Sequence, residues 1–121
     1  MTDSTGNPVY IAADLLSQAE HGVDSQVVLV AVDITDDHLD LITRELDTQA
    51  RALPRVDIVR ESIPKSIIVR TSSLDDGIAF SNDYAPEHLI LHLKDAVAVV
   101  AKIENAGSVF VGSFTPERYF A

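Results

Sequence analysis

The chain has 121 residues, enough for one domain with a single core and too few for two ordinary ones. Its 46% hydrophobic and 23% charged content is that of a soluble globular protein, and no apolar run approaches the roughly 18 to 20 residues of a membrane span. Nineteen acidic against nine basic residues give a net charge of -10, and the lysines and arginines never form a run. A nucleic-acid partner, which needs a basic stripe, is therefore not expected, and the charge reads as solubility.

The absence of cysteine removes disulfides, thiolate chemistry and sulfur-ligated zinc together. "MTDSTGNPVY" shows neither the basic nor the apolar region of a secretory leader, so the expected location is cytoplasmic.

Residues 1–8 have a loop-forming composition, and a helix is expected from about Val9 to His21, ended by Gly22. Its apolar stripe is Ile11, Ala12, Leu15 and Leu16, and Gln18 and His21, three apart, share a face one turn on. Five apolar residues, Val27 to Ala31, read as a strand buried on both faces. Thr35 or Asp36 can cap the next helix, whose apolar positions Leu39, Ile42, Leu46 and Leu53 recur until Pro54 stops it.

Residues 55–65 suit a short helix or an edge strand, with the balance toward helix. "SIIVRTS" predicts a second buried strand, "SLDDGIAFSND" a helix capped by Ser72 or Ser73, and "HLILHLK" a third strand. "DAVAVVAKIENAG" predicts a helix with Gly107 at its C-cap, and "SVFVGSF" a fourth strand. This alternation predicts one α/β domain over residues 1–121, a Rossmann-like open sheet of about four mostly parallel strands with helices on both faces.

The five glycines, at 6, 22, 77, 107 and 112, spell neither a dinucleotide fingerprint nor a P-loop. No cofactor-binding residues are assigned. Ser108 and Ser113 lack a nucleophile-elbow context, which argues against acyl transfer. His38 stands among Asp36, Asp37 and Asp40 and reads as part of a solvated acidic cluster. His92, alternating with Ile90, reads as a partly buried structural histidine, and His21 by itself as a helix C-terminal histidine.

Glu87 and His88 differ, because "YAPEHL" places two adjacent ionisable groups behind a proline at the start of a buried strand. A carboxylate beside an imidazole in such a loop suits general-base work, although an ordinary turn is the favoured account of the spacing alone. Gln18 with His21 and Glu87 with His88 each end a helix that leads into a strand. Both pairs are therefore expected at the N-terminal edge of the sheet, opposite the usual ligand edge of such folds.

Three stretches, "AADLLSQAEHG", "SNDYAPEHL" and "NAGSVFVGSFTPE", in this order and at these separations, resemble histidinol dehydrogenase, with the resemblance running from about Asp3 to Glu117. It implies oxidation of L-histidinol to L-histidine through the aldehyde, with two hydride transfers to NAD⁺. It further implies that Gln18 and His21 are ligands of a zinc ion that holds the substrate, that His88 is the general base, and that Glu87 activates water. His88 is thereby also a substrate contact.

Family members are several times longer, and in them "TPE" leads to Gly-Asp-Tyr, whose Asp is a third zinc ligand; here the chain reads "TPERYFA". A fourth ligand, a histidine given across the dimer, and the NAD-contacting segments have no counterpart. The expectation is thus an excised or engineered segment with little turnover by itself, forming homo-oligomers. The alternative expectation is a structural module that self-associates and has no activity.

Overall fold

Met1–Asp3, expected as loop, instead organises the sheet. The computed structural model describes residues 1–19, 27–53 and 67–112. Thr2 makes parallel bridges to both Ala31 and His92 and is fully buried. Its N–H donates to the Val30 carbonyl at 2.9 Å, its carbonyl accepts from Val32, and the Met1 carbonyl accepts from the His92 N–H at 2.8 Å. A three-residue segment shows no periodicity, so only its two neighbours reveal it as a strand.

On its two sides lie two parallel pairs. β1 (Val28–Val32) pairs with β2 (Ile67–Thr71), Val28 opposite Ile67, and β3 (His88–Leu91) pairs with β4 (Ser108–Val111), His88 opposite Ser108. Through Thr2 the layer reads β2, β1, Thr2, β3, β4, all parallel. The α/β class and the parallel sense expected from the sequence hold.

Helices cover both faces. α1 (Pro8–Ala19) and α2 (Asp36–Arg51) lie on one, where Ile11, Leu29 and Ile42 form a buried cluster. Pro8 occupies the first helical turn, where its missing N–H costs nothing, and Asn7 Oδ1 accepts the Val9 N–H at 2.9 Å. Thr35 caps α2 by accepting the His38 N–H.

α3 (Leu74–Tyr84) and α4 (Ala96–Val100) cover the other face, packing Ile78, Ala96 and Val99 on Val30, Val32, Leu89 and Leu91. Ser73, not Ser72, caps α3. Gly77 lets α3 approach β1, since a Cβ there would come within 2.9 Å of Val32.

Several expectations need correction. β2 is not buried: it pairs only with β1 among the described residues, and Ile67 and Ile68 are 44% and 47% exposed. A β-branched run reads the same at a sheet edge as at its centre.

The helix expected over 95–107 stops at Val100, and Gly107 is not its cap. Asn82 of α3 takes over the chain here: its Oδ1 accepts the N–H groups of Glu104 and Asn105, and its Nδ2 donates to the Lys102 carbonyl. Those bonds replace the next helical turn. The third strand likewise ends at Leu91 rather than Lys94, and the first spans 28–32 rather than 27–31.

The segment 55–65 and Gly22 lie outside the described residues. No helix among the described residues is long and apolar enough to cross a membrane.

Candidate functional site

The chain steps from Thr2 outward through β1 to β2, then returns across the sheet to β3 and β4. The direction reverses between Thr2 and β3, and in open α/β sheets a ligand commonly sits at the C-terminal edge of that switch point. At that edge a cavity of ≈ 480 Å³ opens, lined by Thr5, Gly6, Asn7, Tyr10, His92 and Lys94. The Asp3 carboxylate accepts from the Lys94 N–H, the Thr5 N–H and the Thr5 hydroxyl. Burial works to raise the Asp3 pKa, but the hydrogen bonds from Lys94 and Thr5 outweigh it and hold the carboxyl below its usual value.

At the opposite edge β1 and β3 run on past Met1, and a cavity of ≈ 460 Å³ opens between them. That volume suits a small polar molecule. Asp14 and Gln18 of α1 line it on one face of the sheet, Ser81 and Tyr84 of α3 on the other, and Glu87 and His88 at the start of β3. Ser81 Oγ is buried and has no hydrogen-bond partner among the described residues.

Gln18 is half-buried, one helical turn beyond Asp14. His21, expected on the same face, lies outside the described residues.

Glu87 and His88 are exposed, and the backbone that presents them is tightly held. Ala85 caps α3 in the left-handed region, φ 53, at a cost of roughly 1 kcal/mol for a residue with a Cβ. Pro86 then disfavours a helical Ala85, so the chain leaves α3 sharply. The Pro86 carbonyl accepts the Gly107 N–H at 3.0 Å, and the Glu87 carbonyl accepts the Ser108 N–H at 2.7 Å. The His88 ring stands 6.1 Å from that of Phe110, tilted by 41°.

His92 is buried, as expected for a structural histidine, but it is not inert: its Nε2 lies 2.6 Å from Asp14 Oδ2. In the sequence Asp14 reads as one more polar helix position, and its spacing of four from Gln18 is the one signal that sets it apart. The Met1 amine donates to the Ile90 carbonyl at 2.9 Å. Burial pushes its pKa down to about 5, against a smaller opposing pull from the Asp14 charge. His38, read as solvated, carries an Nε2 atom that is shielded from water and has no partner among the described residues; it lies outside this cavity.

The cavity thus offers an amide, a carboxylate and an imidazole around apolar walls, an arrangement able to bind a polar molecule and move a proton.

Comparison with known proteins identifies the family of the chain. Residues 1–120 match the family model described as histidinol dehydrogenase. The chain is 53% identical to the histidine biosynthesis trifunctional protein of Neurospora crassa over 117 residues, covering 97% of this chain and 13% of that protein. It is 51% identical to the chloroplastic histidinol dehydrogenase of Arabidopsis thaliana, with 97% and 25% covered. The crystal structure of histidinol dehydrogenase from Elizabethkingia anophelis superposes with a TM-score of 0.89 at 44% identity, covering 97% of this chain and 27% of that one. The chain spans about a quarter or less of the length of these relatives.

Proposed function

Because the chain belongs to the histidinol dehydrogenase family, we propose that it carries one wall of a site at which L-histidinol is oxidised to L-histidine. One observation supports this reading above the rest: a single cavity gathers Gln18, Glu87 and His88, which the sequence separates by about seventy residues.

His88, at the mouth of the cavity, accepts the proton of the substrate hydroxyl as the carbon gives up hydride. Glu87, its neighbour, takes a proton from the water that adds to the resulting aldehyde, and the hydrate then gives up a second hydride. Two NAD⁺ molecules, bound in turn, would each take up one hydride. An imidazole and a carboxylate within reach of one substrate suit these two proton transfers.

Gln18 oxygen and His21 nitrogen are acceptable zinc donors, but a tetrahedral ion takes four ligands. The described residues contain no group of three His, Cys, Asp or Glu able to hold a metal. Two donors do not close a coordination sphere, and Gln18 with His21 would leave two zinc positions to be filled from elsewhere. By itself the chain is expected to bind zinc weakly and to turn over little substrate.

The test is calorimetric titration of zinc, and of L-histidinol with zinc present, into the chain and into the Gln18→Ala, His21→Ala double variant. Micromolar zinc binding lost in the double variant supports the reading. Equal binding by both proteins, or none by either, overturns the ligand assignment for this chain.

A second reading, a self-associating module without activity, draws on the exposed Ile67 and Ile68 of β2. Sedimentation distinguishes it, since it requires association that neither zinc nor histidinol alters.

A further inference from the structure

We propose that Asp14 and His92 form a positioning latch that sets the register of α1 against β3, and thereby the approach of Gln18 to Glu87 and His88. The inference rests on the reading of this cavity as the histidinol site.

Four observations carry it. First, Asp14 precedes Gln18 by four residues, one turn or about 6 Å along the same helix face. Second, His92 follows His88 by four residues on one face of an extended segment, about 13 Å away. Each partner of the pair is therefore joined by a short, stiff stretch of backbone to a residue of the site.

Third, all five residues line the same cavity. A shift of α1 along β3 changes its shape at once.

Fourth, the pair is built to hold one geometry. The Nε2 to Oδ2 distance is 2.6 Å, and the two side chains are 6% and 18% exposed. The His92 ring lies on Gly112, where a Cβ would come within 2.6 Å of Cε1 and 2.9 Å of both ring nitrogens. No other residue type leaves room for the ring in this position.

The rest of the buried α1 face, Ile11, Ala12, Leu16 and Ala19, is apolar. Apolar contact is non-directional and tolerates sliding, whereas a hydrogen bond is lost within a fraction of an ångström. A buried ionisable pair adds little net stability because desolvation offsets attraction, so its main effect here is on register.

The chain contains no cysteine, which allows a direct test. Spin labels at Gln18→Cys and Glu87→Cys report the distance across the cavity by pulsed electron resonance. With the latch intact a single narrow distribution is expected. Asp14→Leu is expected to broaden it at least twofold, Asp14→Asn, which keeps an acceptor, much less, and the exchanged pair Asp14→His with His92→Asp to restore it.

An unchanged distribution in a folded Asp14→Leu protein overturns the latch. So does a folded exchanged pair that stays as broad as Asp14→Leu. If Asp14→Leu fails to fold, the comparison of Asp14→Asn with the exchanged pair decides.

In unlabelled protein, Asp14→Leu is expected to weaken L-histidinol binding about tenfold in the presence of zinc. A parent chain that binds no histidinol removes the functional reading, and the distance measurement still decides the latch.

Discussion

Gly107 lies so close to Glu87 that a Cβ at position 107 would stand 2.7 Å from the Glu87 carbonyl oxygen and 3.3 Å from its Cα. Gly107 has no positive φ, so glycine is required by space and not by backbone conformation. Backbone atoms cannot swing aside as a side-chain tip can. Gly107→Ala is therefore expected to displace the Pro86–His88 segment and to cost about 1 to 3 kcal/mol. Urea unfolding measures the cost, and the His88 imidazole signals in an NMR spectrum report the displacement. An alanine variant with unchanged midpoint and His88 shifts contradicts this account of how Glu87 is held.

Stability should fall as pH is lowered, in two separate windows. The buried Met1 amine has its pKa pushed from 8.0 to about 5, so between those values the unfolded chain binds a proton that the folded chain does not. The loss accumulates over that window and is on the order of 4 kcal/mol at its acid end. The folded amine protonates below it, and the slope from this group vanishes. Asp3 acts at lower pH: its depressed pKa contributes stability that is present above the unfolded value and lost as pH falls through the folded one.

Acetylating the Met1 nitrogen separates the two contributions. The acetamide keeps an N–H for the Ile90 carbonyl and places its methyl group at the cavity that Met1 lines. Urea midpoints from pH 5 to 8 are expected to rise with pH in the free chain and to stay level in the acetylated one. A parallel slope in both contradicts the assignment to the amine.

Asn82 is expected to hold residues 102–105 in place of a longer helix. Asn82→Ala removes the acceptor for Glu104 and Asn105 and the donor to Lys102, a loss of about 1 to 3 kcal/mol. Asn82→Asp keeps the acceptor and should lose less. Hydrogen exchange at the Glu104 and Asn105 amides is expected to accelerate far more in the alanine variant than in the aspartate variant.

Self-association is expected through β2. Ile67 and Ile68 expose apolar surface on opposite sides of a strand that pairs only with β1 among the described residues. Sedimentation velocity should show weight-average size rising with concentration in the parent chain and a concentration-independent monomer in Ile68→Lys. A monomeric parent at high concentration sinks this expectation.

Local chemistry alone determined much of this protein. The 3.6-residue spacing of Ile42 with its neighbours, the caps at Thr35 and Ser73, and the apolar runs of β1 and β3 each act within a few residues. The three family-like stretches name Gln18, His21, Glu87 and His88 without any structure, because motif residues are written in order along the chain.

Contacts between distant residues were decided only by the tertiary structure. Thr2 becomes a strand because Val30 and His92 present unpaired backbone on either side of it, and β2 becomes exposed because nothing described pairs beyond it. α4 stops where Asn82, about twenty residues earlier, takes its hydrogen bonds. Asp14 meets His92 across 78 residues. Periodicity and propensity describe a segment's preference for helix or strand, while burial, edge position and long-range pairing depend on what the rest of the chain places beside it.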